Sequence, residues 1–299
     1  MIPLLIGIPA LLAVLFQVVR GEKARGYMVY AGAGIIMLTM VIFIADWIGG
    51  GAQTWTFYPK TELIDHLMTV GDIFLMCLII YLSVKYGKVL PIILSVLQTA
   101  LVLYTESSTE VVEGPHMMVD WLTVLMCIII ACIGGFICIY TVGYMKGYHS
   151  HHKDVKDRQP FFFSMLFLFL AAMFGLVLSQ NLVWIYFFWE ITSVISFLMI
   201  GYTRTDEAVN NSFCALWMNL LGGLGFAVAI FLMAKGQGPL QLPDVVSSGA
   251  LLPLMCLSLA GLTKSAQLPF STWLLGAMVA PTPSSALLHS ATMVKAGVY

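Results

Sequence analysis

Long apolar segments separated by short polar loops run from the first residues of the chain to the last. Most of them approach the roughly 20 apolar residues that an α-helix needs to cross a bilayer. The pattern therefore predicts an all-α fold, a polytopic transmembrane helix bundle of about ten spans. The predicted spans are residues 2–19, 27–48, 67–84, 89–104, 120–142, 160–178, 182–202, 212–234, 251–267 and 284–299.

Composition supports this prediction. Hydrophobic residues make up 60% of the chain and charged residues 10%, with a mean hydropathy of +0.93, which no ordinary soluble domain matches. The net charge of -1, without a basic cluster, gives no indication of nucleic-acid binding. We therefore expect the lipid bilayer as a partner, and no nucleic acid.

Metal and cofactor sites are not expected on this chain. The six cysteines lie in apolar segments and form no Cys-x-x-Cys pair, so they are expected to be small buried hydrophobes. His149, His151 and His152 are interpreted as part of a solvated loop, because no third ligand type accompanies them at a zinc spacing.

Lysines and arginines concentrate in the loops that follow odd-numbered spans. Cytoplasmic loops carry such an excess, so the N-terminus is expected outside. The first apolar segment is interpreted as a helix rather than a signal peptide, because no basic residue precedes it and no small-residue cleavage site follows it.

Ionisable residues inside the apolar segments include Glu190, Lys264, His289 and Lys295. Such residues cost a few kcal/mol at bilayer depth and usually mark ion pathways. We predict a proton route in which Glu190 modulates the charge of Lys264. The alternatives are that Glu190 belongs to a static ion pair, that the two lysines extend to an interface, and that His289 is a packing residue.

Prolines accompany these residues. Pro269 follows Lys264 by five residues, and Pro281 and Pro283 precede the last span. A proline inside a helix removes a hydrogen bond and crowds the preceding turn. We therefore predict a broken helix with a non-helical turn between residues 264 and 270, whose freed carbonyls bind water. Simple kinks are the alternative.

The segment from Lys264 to Tyr299 resembles the proton-translocating, antiporter-like subunit family. Its members are the large membrane subunits of complex I, the large subunits of Mrp Na⁺/H⁺ antiporters and the membrane subunits of group 4 [NiFe] hydrogenases. Trp189-Glu190, followed by Ser193-x-x-Ser196-Phe-Leu-Met-Ile-Gly201, resembles the family's glutamate motif. The resemblance covers about residues 117–299.

This resemblance implies roles and boundaries. Glu190 is similar to the fifth-helix glutamate and Lys264 to the central lysine of a broken helix, while His289 and Lys295 would carry the proton onward. Residues 1–116 would form about four N-terminal spans, two of them extra, and residues 117–299 the antiporter-like domain. That domain would hold half of an inverted-repeat fold and be truncated within its last helix.

The function implied is ion translocation, of protons or Na⁺, by a non-catalytic subunit of a complex I-related oxidoreductase in the inner or cytoplasmic membrane. The expected complex is a membrane-bound [NiFe] hydrogenase of the Ech or formate hydrogenlyase type. Other membrane subunits and a peripheral redox arm would be partners, and these would hold iron–sulfur clusters and [NiFe] or flavin. The alternatives are the large subunit of an Mrp-type Na⁺/H⁺ antiporter and the corresponding NADH–quinone oxidoreductase subunit.

Overall fold

The computed structural model describes residues 1–19, 21–57, 62–108, 116–152, 155–236, 238, 240–288 and 293–299. Within these ranges seven helices are long and apolar enough to cross a membrane, and two shorter apolar helices accompany them. The prediction of an all-α polytopic bundle is confirmed. The helices are α1 (Ile2–Val18), α2 (Glu22–Gly49), α3 (Glu62–Lys85), α4 (Leu90–Ser108), α5 (Trp121–Ile129), α6 (Gly135–His151), α7 (Gln159–Leu178), α8 (Leu182–Ile200), α9 (Asp206–Lys235), α10 (Leu242–Ser247), α11 (Leu251–Lys264), α12 (Thr272–Gly276), α13 (Thr282–Ala286) and α14 (Met293–Ala296).

Helices α7 and α8 form the centre of the bundle. Both are mostly apolar and almost entirely buried, as expected for helices surrounded by other helices. Helix α1 packs against α7, and α9 packs against α8, α4 and α11. The turn between α7 and α8 is short because Asn181 caps α8 at once, its side chain accepting a hydrogen bond from the amide of Val183 at 2.9 Å.

The structure also contains a two-stranded antiparallel ribbon. Strand β1 (Trp55–Phe57) pairs with β2 (Met117–Val119), with Trp55 opposite Val119 and Phe57 opposite Met117. Helices α3 and α4 lie between the two strands in sequence and pack against each other. They therefore form a helical hairpin that the ribbon closes, called here the α3–α4 hairpin.

Two boundaries differ from the sequence prediction. Helix α9 begins at Asp206 rather than at residue 212, because the Thr205 hydroxyl accepts a hydrogen bond from the Ala208 amide and caps the helix. The helix that follows Asp120 continues through a π-helical stretch, Ile130–Gly134, into α6 and ends at His151 rather than at residue 142. No proline or capping signal interrupts it.

The histidine interpretation is corrected accordingly. His149 and His151 lie in the last turn of α6, not in a loop. His149 is packed rather than solvated, since its Nε2 lies 3.2 Å from the Tyr202 hydroxyl and 3.4 Å from Asp157 Oδ1. Across the described ranges, no group of three or more histidine, cysteine or acidic side chains is arranged to hold a metal ion.

Candidate functional site

Lys264 is the last residue of α11 and lies inside the bundle. Its side chain is 0% exposed, so it does not extend to an interface. The amine donates hydrogen bonds to the carbonyl of Trp189 at 3.0 Å and to Ser193 Oγ at 2.8 Å, both on α8. It also lies 4.7 Å from the centre of the Trp189 ring, within reach of a cation–π interaction. Helix α8 therefore binds the amine through neutral groups.

The predicted break in the helix follows directly. Helix α11 ends at Lys264, Ala266 has a left-handed backbone with φ of 52°, and helical structure resumes at Thr272. The carbonyl of Thr263 accepts a hydrogen bond from the indole of Trp273 at 2.9 Å. A protein side chain therefore satisfies this backbone carbonyl at the helix end, and the binding of water at this turn stays a prediction.

Glu190 lies on α8, one residue after the carbonyl that binds Lys264. It is 3% exposed, and its Oε2 accepts a hydrogen bond from Gln98 Nε2 of α4 at 2.7 Å. Among the described residues its Oε1 has no hydrogen-bond partner. The carboxylate is thus held at one oxygen by the α3–α4 hairpin.

Glu190 and Lys264 interact electrostatically but form no direct ion pair in the described part of the chain. Removing an ammonium group from water costs several kcal/mol, which neutral hydrogen bonds and a nearby carboxylate offset only in part. The charge of Lys264 therefore depends on the charge of Glu190. This arrangement can couple two protonation events, as a reversible relay requires.

Other predicted site residues are Lys295, His289, Pro281 and Pro283. Lys295 lies on α14 with its side chain exposed on the outside of the chain. His289 lies outside the described residues. Pro283 occupies the first turn of α13, where its missing N–H costs nothing, and Pro281 directly precedes that helix.

Several polar residues of the site were missed by the sequence prediction: Asp72, Gln98 and Ser193. Asp72 is 7% exposed on α3 and lies along the same narrow gap as Gln98 and Glu190. A signal existed in the helical spacing of Asp65, Thr69 and Asp72, which puts three polar residues on one face of an apolar helix. Gln98 is uncharged and gave no comparable signal, and Ser193 was named only as part of the glutamate motif, without a role of its own.

Two family models match the chain. One, described as NADH:quinone oxidoreductase/Mrp antiporter, TM, covers residues 179–299. The other, described as NADH-ubiquinone oxidoreductase (complex I), chain 5 N-terminus, covers residues 115–153. Together they include both Glu190 and Lys264, whereas α1 to α4 precede the matched residues.

Curated relatives are much longer than this chain. The Na(+)/H(+) antiporter A1 subunit of Staphylococcus haemolyticus is 34% identical over 229 residues, which is 70% of this chain and 28% of the relative. The probable K(+)/H(+) antiporter A/B subunit of Rhizobium meliloti is 39% identical over 199 residues, or 62% and 20% of the two chains. The chain therefore spans between 20% and 28% of the length of these relatives.

Two solved structures are similar. A chain of the membrane-bound sulfane sulfur reductase, an archaeal respiratory membrane complex, has the same fold over 100% of this chain and 51% of its own, with a TM-score of 0.71 at 15% identity. A chain of the Mrp complex from Dietzia sp. DQ12-45-1b gives a TM-score of 0.54 at 27% identity, over 78% of this chain and 27% of that one.

Proposed function

The chain belongs to the family of proton-translocating, antiporter-like membrane subunits that Mrp antiporters and NADH:quinone oxidoreductases share, and we propose that it moves protons in exchange for Na⁺ as a subunit of an Mrp-type antiporter complex. It is a multi-pass membrane protein, and its relatives are subunits of multi-subunit membrane complexes. The observation that carries the proposal is the buried amine of Lys264, held beside Glu190 at the break in α11.

The relay has two states. With Glu190 ionised, its negative charge stabilises the protonated amine, and the Trp189 carbonyl and Ser193 hydroxyl accept the N–H bonds of the ammonium. When Glu190 takes up a proton, the buried ammonium loses its compensating charge, and Lys264 releases its proton. Each proton that arrives at Glu190 thereby drives one proton away from Lys264.

The break in the helix after Lys264 sets the direction in which Lys264 releases its proton. Because α11 ends at Lys264, the backbone beyond it is not a continuous helix, and the amine can change partners without unwinding a turn. His289 and Lys295 lie further along the chain and are proposed as the next proton acceptors. The outward-facing side chain of Lys295 suits a position next to another membrane subunit.

A redox-driven complex is the second candidate, as a membrane-bound [NiFe] hydrogenase of the Ech or formate hydrogenlyase type or an NADH–quinone oxidoreductase. It is favoured by the likeness in fold to the archaeal respiratory complex, which includes α1 to α4. In that case a peripheral redox arm with iron–sulfur clusters and [NiFe] or flavin would belong to partner subunits. The Na⁺/H⁺ antiporter is preferred because the curated relatives with 34–39% identity carry cation/proton antiporter names.

The relay is tested by transport in vesicles that contain the intact complex. Lys264→Met and Glu190→Gln are expected to lower proton movement by at least about 100-fold, the usual contribution of a positioned proton-transfer group. Lys264→Arg is expected to be equally inactive, because an arginine keeps its charge and does not release its proton. Lys235→Met, a change at an exposed lysine at the end of α9, is the matched control.

Two outcomes contradict the relay. If Lys264→Arg transports normally, the lysine acts only as a fixed charge in helix packing. If the variants reduce the amount of assembled complex but leave the rate per complex unchanged, the pair is structural. Identification of co-purified subunits by mass spectrometry separates the two kinds of complex: small antiporter subunits support exchange, whereas iron–sulfur or nickel subunits support the redox-driven alternative.

A further inference from the structure

Three buried oxygen atoms belong to residues that line one narrow gap between α3, α4 and α8. They are Asp72 Oδ1, Gln98 Oε1 and Glu190 Oε1, and within the described ranges none of them has a hydrogen-bond partner. The three residues are 7%, 1% and 3% exposed. Each unsatisfied buried acceptor costs about 1–3 kcal/mol. A proton on one of the two carboxyl groups turns that group into a donor, which can satisfy one of the other acceptors.

The gap is the inner end of a longer polar stripe. On α3, Asp65, Thr69 and Asp72 lie on one face at helical spacing, and the Thr69 hydroxyl donates to Glu106 Oε2 of α4 at 3.3 Å. Asp65 Oδ1 accepts a hydrogen bond from the Trp184 indole at 2.8 Å. Burial decreases along the stripe, since Asp65 and Glu106 are half-buried near the end of the hairpin.

We propose that Asp72, with Glu106 and Asp65 beyond it, forms an access route by which protons reach Glu190 from the membrane face at which the β1–β2 ribbon lies. The inference rests on the proposed function, because it supplies the proton that Glu190 must receive. Neither family model extends to α3 or α4, so the route is built from helices that lie outside the matched regions.

The geometry suits a proton rather than a hydrated cation. The gap lined by Asp72, Gln98 and Glu190 is too narrow for a water molecule, whereas a proton needs only two oxygens at hydrogen-bonding distance.

In the transfer step, the O–H bond of the Asp72 carboxyl group breaks and a new O–H bond forms on the Glu190 carboxylate. This leaves Asp72 ionised and Glu190 neutral, and Asp72 regains a proton from the Glu106 side. The ionisable groups that face this step are Glu106 and Glu190 toward Asp72, and Lys264 and Tyr186 toward Glu190.

The test compares variants in vesicles that contain the intact complex. Asp72→Asn, which keeps the shape but does not release a proton, is expected to lower proton movement by about 100-fold. Asp72→Glu restores a titratable group and is expected to recover most of the rate. The matched control is Asp46→Asn, the same chemical change at an exposed position on α2, which is expected to transport like the unmodified protein.

A second measurement keeps the inference open to refutation if Asp72→Asn does not assemble. Glu106→Gln changes a half-buried position, and it is expected to slow transport by about 100-fold, the lower end of the effect of a positioned proton-transfer group.

The outcomes separate this inference from the proposed function. If Glu190→Gln abolishes transport while Asp72→Asn and Glu106→Gln leave it within about twofold of normal, protons reach Glu190 elsewhere and the access route is wrong. If Glu190→Gln and Lys264→Met also transport normally, the relay itself is wrong. Loss of transport in Asp72→Asn with recovery in Asp72→Glu supports the route.

Discussion

Gly223 of α9 has no side chain at the point where Glu190 and Gln98 approach the helix. A Cβ atom at this residue would lie 2.5 Å from Glu190 Oε1 and 2.7 Å from Gln98 Oε1, closer than real Cβ atoms come to their neighbours. The Glu190 carboxylate can therefore keep its position only because residue 223 has no side chain. At the scale of single residues, this glycine is as important to the site as the charged groups.

Gly223→Ala is expected to displace the Glu190 carboxylate and weaken its hydrogen bond to Gln98. Overpacking of this kind destabilises by about 1–3 kcal/mol, and transport should fall in parallel because the carboxylate leaves the gap. Thermal unfolding and transport of the purified complex measure both effects. Gly34→Ala is the control, since a Cβ atom at Gly34 meets nothing within 4 Å; equal behaviour of the two variants would contradict this role.

Sequence analysis identified residues of the site by a charge inside an apolar segment, although it missed Asp72, which lies in such a segment. Glu190 and Lys264 were predicted in this way, and the structure places both inside the bundle. Gln98 and Ser193 could not be predicted, because an uncharged polar residue in an apolar helix becomes important only through what it contacts. Lys295 was predicted from its charge, but the exposure of its side chain could not be predicted, because it depends on how α14 packs.

At the scale of elements, the break after α11 is stabilised by the helix that follows it. Trp273, the second residue of α12, is fully buried and donates its indole N–H to the carbonyl of Thr263. This bond joins the two halves of the broken helix across the turn. Lys264 keeps its place at the helix end because the turn beside it is held in this way.

Trp273→Phe is expected to lower the free energy of unfolding by about 1–3 kcal/mol, because it removes a buried hydrogen bond and leaves a small cavity. Transport should fall as well, since the end of α11 is less well held. Trp121→Phe, at a side chain that is 69% exposed, is the matched control. Unchanged stability and transport in Trp273→Phe would show that the turn is held by other contacts.

The elements were predicted with uneven success, for physical reasons. Pro269 allowed the break after Lys264 to be predicted, because a proline inside a helix either kinks or breaks it. The start of α9 at Asp206 was missed although Thr205 is a good capping residue. The β1–β2 ribbon was beyond prediction, since a three-residue strand carries no pattern of its own and is defined only by its partner.

At the scale of the whole molecule, the basic residues predict which face of the bundle lies toward the cytoplasm. Lysines and arginines cluster in loops after odd-numbered spans, such as the one between α6 and α7. The β1–β2 ribbon belongs to the opposite face, because β1 follows the second span. Protons that enter by the Asp72 route would therefore come from outside.

Cysteine labelling of intact cells measures this orientation. Lys156→Cys, at an exposed site between α6 and α7, is expected to be protected from a membrane-impermeant thiol reagent until the membrane is opened. Gln53→Cys, at an exposed site before β1, is expected to react at once. The native cysteines provide the background in the unmodified protein. Reversed reactivity of the two sites would place the N-terminus inside.

The β1–β2 ribbon also makes the α3–α4 hairpin an insertion-like unit, called here a cassette, because the strands before and after it pair with each other. Paired residues in an antiparallel ribbon have Cα atoms only about 5 Å apart, so the chain departs and returns at nearly the same place. Joining Phe57 to Met117 by a tight turn would excise the cassette and keep the order of the remaining helices. One genetic event could therefore have added or removed the two helices together with the carboxyl groups they carry.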